Sequence, residues 1–200
     1  MASVYCYFEN NIHAIEDALK SIDKYAFDSL VEACVHTIES GNKIVVSGLG
    51  KNVPICEKFV GTMISLGLDA NFLHTNSAIH GDLGMIHRGD LVIILSKSAS
   101  TCESIKLAEI LQKRDTVQLW LITFNPDGTL SKTIENKLLV SLHHEGDLWD
   151  IIPNNSTTLN LIILQTIAIQ LSEKLGLTLE DDFKPNHPGG AIGEKLSNGR

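Results

Sequence analysis

Apolar runs without an alternating polar face predict strands that are covered on both sides. Leu91–Leu95 shows this pattern most plainly, since every residue in it is apolar. Less uniform stretches rich in apolar residues predict four further strands at 43–47, 70–74, 117–123 and 137–142. Strands of this kind are typical of a buried parallel sheet.

Helical periodicity occupies the stretches between these runs. Apolar residues recur at helical spacing over 10–40, before a stop at Gly41, and from about 53 to a stop at Gly67. A third helical pattern begins near Cys102 and precedes the strand at 117–123. We therefore expect strands and helices to alternate along the chain.

A last helix is predicted from Ser156 to about Leu175, between the polar stretch 143–155 and a polar tail at 181–193. Its first hydroxyl residues, Ser156, Thr157 and Thr158, are expected to cap it. Because the helix is apolar on nearly every side, we expect the sheet and a second subunit to cover it.

Alternating strands and helices predict an α/β fold, with a doubly wound five-stranded parallel sheet in a three-layer αβα arrangement. Ligands of such folds bind at the carboxyl ends of the strands. Polar and glycine-rich segments follow the predicted strands at these ends: 47–52, the loop after His74, 96–101, 123–125 and 143–150. The sequence thus predicts a ligand site at one edge of the sheet.

Composition limits the class of protein. With 200 residues and 44% hydrophobic content, the chain suits a single domain over 1–200. A formal net charge of −8 and the absence of a basic stripe argue against a nucleic-acid partner. The four cysteines lack zinc-ligand spacing and indicate reduced thiols. Neither a membrane span nor a signal peptide is apparent, so we expect a cytoplasmic protein.

A hydroxyl-rich turn follows the strand Leu91–Leu95. Ser96, Ser98, Ser100 and Thr101 stand between that strand and the next helix, where free N–H groups and the helix dipole favour an oxyanion. The turn fits a small phosphorylated ligand, although a simple helix cap also explains it.

The glycine turn Gly48–Lys51 ends the first strand but lacks the spacing of a P-loop. Lys51 is either a solvated lysine or a fixed positive charge for a phosphate or a developing enediolate. His80 and His187 are either exposed loop residues or members of the site. Glu145 is either a solvated carboxylate or a base that moves a proton between sugar carbons. Metal binding is disfavoured, because the histidines lack ligand spacing.

These segments together resemble the sugar isomerase (SIS) domain family, and within it the arabinose-5-phosphate isomerases. The resemblance extends from about 12 to 196. It rests on the segments 47–51 (SGLGK), 80–85 (HGDLGM), 96–101 (SKSAST), 153–158 (PNNSTT) and 187–190 (HPGG).

The resemblance implies a flavodoxin-like fold, a homotetramer with active sites across subunit interfaces, and no cofactor. It implies interconversion of D-ribulose 5-phosphate and D-arabinose 5-phosphate, which feeds 3-deoxy-D-manno-octulosonate (KDO) and surface polysaccharide. The family's catalytic positions fall on Lys51, His80, Glu145 and His187. Its phosphate- and sugar-binding positions fall on Ser47, Ser96, Ser98, Thr101, Ser156, Thr157 and Thr158. Gly48 and Ser100, which lie in the same turns, are further candidate binding residues.

Two departures from the family pattern leave alternatives open. Ala99 and Ser100 stand where the family usually has Gly-Glu, so a carboxylate that helps the site is missing. A phosphosugar sensor without catalysis, or an isomerase of another sugar phosphate, therefore remains possible. The chain also ends soon after Leu196, so we expect no CBS domains. Inhibition by a nucleotide-sugar end product would then have to act at the SIS domain.

Overall fold

A parallel sheet forms the centre of the computed structural model, which describes residues 4–114 and 116–197. Its strands are β1 (Ile44–Gly48), β2 (Ala70–His74), β3 (Leu91–Leu95), β4 (Gln118–Thr123) and β5 (Lys137–Leu139). They are all parallel, in the order β2-β1-β3-β4-β5. The predicted α/β fold with five parallel strands is confirmed.

Helices cover both faces of the sheet. They are α1 (Val4–Lys20), α2 (Lys24–Glu39), α3 (Asn52–Ser65), α4 (Thr75–Ala78), α5 (Cys102–Gln112), α6 (Thr129–Thr133), α7 (Asn155–Lys174) and α8 (Gly190–Ser197). Helices α1, α2, α3 and α7 cover one face, and the short α4 with α5 and α6 covers the other. The burial of β1 and β3, complete along both strands, explains their unbroken apolar runs.

The single helix predicted over 10–40 is wrong, because the chain breaks into α1 and α2. The Oγ of Ser21 donates to the Ala18 carbonyl at 2.6 Å. Asp23 then begins α2, and its Oδ1 accepts from the backbone N of Tyr25 at 2.8 Å. These side-chain hydrogen bonds interrupt the backbone hydrogen bonds of a continuous helix. The break leaves no sign in the sequence pattern, because Ile22 keeps the helical spacing of apolar residues.

Strand β5 is shorter than predicted, ending at Leu139 instead of Leu142. Val140 N still donates to the Thr123 carbonyl at 2.9 Å, but Ser141 N donates to Ser21 Oγ at 3.1 Å. The end of α1 thus diverts the chain from the sheet. The polar tail of the chain contains two short helical turns, at Leu179–Phe183 and Lys184–Asn186, and then α8.

Helix α7 lies against the sheet face that α1, α2 and α3 also cover, and Ile169 on its outer side is 63% exposed. Within 4–114 and 116–197, no single helix has the length and apolarity to cross a membrane. Helix α7 and Leu179–Asn186 pass that test only as a pair bent by 116°.

Candidate functional site

The carboxyl edge of the sheet brings three helix N-termini together. Helix α3 follows β1, α5 follows β3, and α7 follows the loop after β5. Among the described residues, the side chains of the N-cap residues Lys51, Thr101 and Asn154 make no capping hydrogen bond. Because a helix N-terminus carries partial positive charge, this edge of the sheet favours an anion.

The turn 96–101 is fastened to the end of β4 by backbone hydrogen bonds. The Lys97 carbonyl accepts from Phe124 N and from Thr123 Oγ1, each at 3.2 Å. The Ser98 carbonyl accepts from Asn125 Nδ2 at 2.9 Å. These contacts fix the backbone from which the hydroxyl side chains project.

The hydroxyl groups of this turn lie next to the first turn of α5. Ser98 Oγ accepts from Ser100 N at 3.2 Å and lies 3.4 Å from Thr101 Oγ1. Ser98 and Ser100 are exposed, whereas Ser96 is buried and its Oγ has no hydrogen-bond partner among the described residues. The turn therefore presents hydroxyl donors where N–H groups of α5 are also free.

Ala99 adopts a left-handed backbone conformation, with φ of 51°. This conformation favours glycine over alanine. Ala99 is nevertheless fully buried, and its carbonyl accepts from Leu130 N at 2.8 Å. A Cβ built at Gly128 would lie 2.5 Å from the Ala99 Cβ, so Gly128 provides the space for this methyl group.

Glu145 caps α7 from the loop that follows β5. Its Oε2 accepts from Asn154 N at 3.0 Å and from Ser156 N at 2.9 Å. The predicted capping of α7 by Ser156, Thr157 and Thr158 is wrong. The hydroxyls of Thr157 and Thr158 instead donate back to the Asn154 carbonyl, at 2.9 and 3.0 Å.

Lys97 joins the hydroxyl-rich turn to Glu145. Its Nζ lies 2.5 Å from Glu145 Oε1, and the two side chains are 44% and 1% exposed. Burial by itself would raise the pKa of Glu145, but the hydrogen bonds from Lys97 and Ser156 lower it below the ordinary value. At neutral pH this buried carboxyl is an anion.

The end of β1 supplies three predicted site residues in different environments. Ser47 is fully buried, and its Oγ lies 3.0 Å from Thr75 Oγ1. A Cβ at Gly48 would lie 2.9 Å from the Asn52 Cβ, so glycine permits the close approach of α3. Lys51 is exposed at the start of α3. Of the three, Lys51 alone has a side chain open to solvent.

His80 is exposed beside a cleft between α4 and the start of α5. The cleft has a volume of about 500 Å³ and is lined by Thr75, Asn76, Ile79, His80, Cys102, Glu103 and Lys106. It opens next to Thr101, which precedes Cys102 at the end of the hydroxyl-rich turn. His80 therefore lies on the α5 side of the carboxyl edge.

His187 lies apart from these residues, in the tail that follows α7. Its ring stacks on Phe183 with centroids 4.0 Å apart, and its Nδ1 lies 2.8 Å from the Phe183 carbonyl. The neighbouring Asn186 donates to the carbonyl of Ser65, at the carboxyl end of α3. Since α3 has 14 residues and is about 20 Å long, this position lies near the opposite edge of the sheet. Within one chain, His187 therefore lies away from Glu145, and its catalytic role stays a prediction that needs a second subunit.

Lys97 is the site residue to which sequence reasoning gave no role. Its signal was a single charge within an otherwise small and hydroxyl-rich turn. The structure thus places the turn 96–101, Glu145 and the start of α7 together, with Lys51 and His80 at the same edge of the sheet. Within the described residues, no group of three or more His, Cys, Asp or Glu could hold a metal ion.

Residues 37–170 match the SIS domain. The chain belongs to the SIS domain family. It is 37% identical to the arabinose 5-phosphate isomerase KdsD of Pseudomonas aeruginosa over 180 residues, 90% of this chain and 55% of that protein. It is 36% identical to the KdsD of Escherichia coli K12 over 184 residues, 92% of this chain and 56% of that protein. The chain thus spans about half the length of these curated relatives.

A solved structure has a similar fold. The Escherichia coli CFT073 protein c3406, in complex with arabinose 5-phosphate, superposes with a TM-score of 0.83 and 28% identity. The match covers 91% of this SIS chain and 94% of the other.

Proposed function

We propose that this SIS chain is an isomerase that interconverts D-ribulose 5-phosphate and D-arabinose 5-phosphate. The observation that carries the proposal is the ionic contact of Lys97 with Glu145, which joins a buried carboxylate to a hydroxyl-rich turn at the carboxyl edge. The turn suits a phosphate and the carboxylate suits a proton transfer, and an isomerase of sugar phosphates needs both. The KdsD relatives and the neighbour bound to arabinose 5-phosphate support this choice of substrate.

In this mechanism the turn holds the phosphate. Ser96, Ser98, Ser100, Thr101 and free N–H groups of α5 would donate to its oxygens, as helix N-termini do for oxyanions. The Ser156–Thr158 segment, with Ser47 and Gly48 at the end of β1, would line the sugar side. The phosphate thereby fixes C1 and C2 relative to the base.

Glu145 would move the proton between C1 and C2. In the aldose-to-ketose direction it takes the C2 proton, giving a cis-enediol, and returns a proton to C1. Lys51 would stabilise negative charge on the enediolate oxygens, and His80 would orient the sugar. His187 would assist ring opening or transfer a proton between O1 and O2. No cofactor is needed for these steps.

We propose that His187 completes the site from a second copy of the chain. Because it lies near the opposite edge of the sheet, it would reach the pocket of another subunit. Helix α1 exposes Tyr5 (74%), Phe8 (58%) and Ile12 (61%), a surface that association would bury. We propose a homotetramer with active sites at the interfaces, which light scattering can test.

The cellular setting follows from the product. The enzyme would act in the cytoplasm, and its D-arabinose 5-phosphate would feed KDO synthesis for the lipopolysaccharide or capsule of the cell surface. A nucleotide sugar is the candidate inhibitor. Tight competitive binding of such a sugar in calorimetry would support this regulation, and no binding at millimolar concentration would contradict it.

A sensor without turnover is the second candidate. The near-complete burial of Glu145 and the absence of a carboxylate at Ser100 favour it. An assay against pentose, hexose and heptose phosphates separates the candidates. Turnover of ribulose 5-phosphate, with solvent deuterium entering the sugar, supports the isomerase. Binding without turnover supports the sensor, and turnover of a different sugar corrects the substrate.

A further inference from the structure

The two oxygens of Glu145 have different partners. Oε2 is occupied by the amides of Asn154 and Ser156, at 3.0 and 2.9 Å, as the cap of α7. Oε1 has only the contact with Lys97 Nζ, at 2.5 Å, among the described residues. The oxygen available for proton transfer is therefore the one that Lys97 contacts.

The exposure of the pair is unequal, since the Glu145 side chain is 1% exposed and that of Lys97 is 44% exposed. A buried carboxylate that loses its cationic partner tends to take up a proton, because the charged form is poorly solvated. Lysine, by contrast, can turn its ammonium into water. Lys97 thus supports the ionised form of Glu145 more than Glu145 supports Lys97.

The backbone of Lys97 is held in place. Its carbonyl accepts from Phe124 N and Thr123 Oγ1, each at 3.2 Å, at the end of β4. Glu145 N in turn donates to Asp150 Oδ1 in its own loop. The backbone at both ends of the ionic contact is thus held by neighbouring structure, and the two amides on Oε2 orient the Glu145 carboxylate.

Other groups around Glu145 also bear on its charge. From its own loop these are Asp150 and the neighbouring His144, whose carbonyl accepts from Asn155 Nδ2 at 3.1 Å. Helix α7 contributes backbone amides, and α1 contributes the neutral Asn11, 3.3 Å from Asn155. Lys97 is the cation in contact with the carboxylate.

We propose that Lys97 is a positioning residue for the isomerisation, which holds Glu145 as an anion with Oε1 directed for proton transfer. This role rests on the proposed function, because it concerns the base of that reaction. It is distinct from phosphate binding, since Lys97 would act on turnover through Glu145 and would leave substrate affinity unchanged.

The test compares Lys97→Met and Lys97→Arg in the full chain. For Lys97→Met we expect kcat to fall about tenfold or more, as for the loss of one charge-assisted hydrogen bond, with KM unchanged. In the pH profile of kcat, the acid limb should move to higher pH, because Glu145 is protonated more readily without Lys97. Lys97→Arg should keep the limb in place. Lys97→Gln serves if the methionine variant does not fold.

Lys43→Met is the matched control. Lys43 forms a similar pair with the buried Asp90 at 2.6 Å, at the opposite edge of the sheet. We expect this variant to lose stability but to keep the wild-type acid limb. A raised KM for Lys97→Met with an unmoved acid limb would overturn the proposal and make Lys97 a substrate ligand.

A second measurement does not need turnover. In protein labelled with carbon-13 in its glutamate carboxyls, Glu145→Gln identifies the Glu145 resonance. Its titration should shift to higher pH in Lys97→Met and stay unchanged in Lys43→Met. If the wild type shows no isomerase activity, the proposed function fails, but this titration still decides the link between Lys97 and Glu145. An unmoved titration overturns the link.

Discussion

Two lysine–carboxylate pairs lie at opposite edges of the sheet. At the amino edge, Lys43 Nζ lies 2.6 Å from Asp90 Oδ2, and at the carboxyl edge Lys97 Nζ lies 2.5 Å from Glu145 Oε1. Each carboxylate is buried and also accepts two backbone amides. Asp90 accepts from Lys43 N and His87 N, at 3.1 and 2.7 Å. The local chemistry of the two pairs is nearly the same.

The pairs differ in the exposure of the lysine. Lys43 is 15% exposed and is held between Asp90 and His87 Nδ1, whereas Lys97 is 44% exposed. The first pair joins the residue before β1 to the residue before β3, and its partners are all groups of this chain. The second lies beside the uncapped N-terminus of α5 and the exposed hydroxyls of Ser98 and Ser100. A buried carboxylate thus indicates a site only where its surroundings are open.

The largest expected effect separates the two carboxylates by rate. Glu145→Gln should lower kcat about 10²–10⁴-fold, the usual contribution of a positioned base, while its amide oxygen can still cap α7. Asp90→Asn should leave the kcat of the folded protein unchanged. Steady-state kinetics with ribulose 5-phosphate provides the measurement. Full activity of Glu145→Gln would remove the assignment of the base.

For stability we expect the reverse order: loss of Asp90 should cost more than loss of Glu145. Asp90→Ala leaves the largely buried Lys43 and two amides without their acceptor, at a cost of about 3–5 kcal/mol. Glu145→Ala mainly removes the cap of α7, at about 1–2 kcal/mol, because Lys97 can turn into water. Urea unfolding at pH 7, with unchanged slopes, gives both values. Equal losses would mean that the exposure of the lysine is not the relevant difference.

Most of the fold follows from local patterns. Strands β2 and β3 have the predicted bounds. For β3 the reason is that a fully apolar run covered on both faces ends where burial ends. The break between α1 and α2 escaped prediction, since Ile22 continues the helical period while Asp23 starts a new helix. Hydrogen bonds of single side chains decide such boundaries, and an apolar period does not report them.

The site was only partly predictable for a related reason. The turn 96–101 follows a strand, so its place at the carboxyl edge comes from the alternation of elements. The contact of Lys97 with Glu145 joins segments far apart in sequence, and only the packed sheet reveals it. The placement of His187 depends on how the tail packs against α3, which no local pattern encodes.

Acid should weaken the carboxyl-edge pair in a predictable direction. The folded-state pKa of Glu145 lies below the ordinary 4.5, because the effect of burial is outweighed by hydrogen bonds from Lys97 and Ser156. Its contribution to stability is therefore present above the ordinary pKa and is lost as pH falls through the lowered one. The difference in unfolding free energy between wild type and Glu145→Gln should shrink from pH 6 to pH 3. A constant difference would contradict the lowered pKa.

The smallest expected effect is on stability, and it concerns the backbone conformation of residues near the two lysine–carboxylate pairs. Gly89, next to Asp90, has φ of 91°, a conformation that suits glycine, whereas Ala99, near Lys97, has φ of 51° and carries a buried methyl group. In Ala99→Gly, relief of a left-handed alanine (about 1 kcal/mol) should nearly offset loss of the methyl contacts (about 1 kcal/mol). We expect a net change within about 0.5 kcal/mol by urea unfolding. Ala108→Gly, equally buried but helical, is the control and should cost about 1–2 kcal/mol. Equal losses in the two variants would show that the turn 96–101 carries no backbone strain.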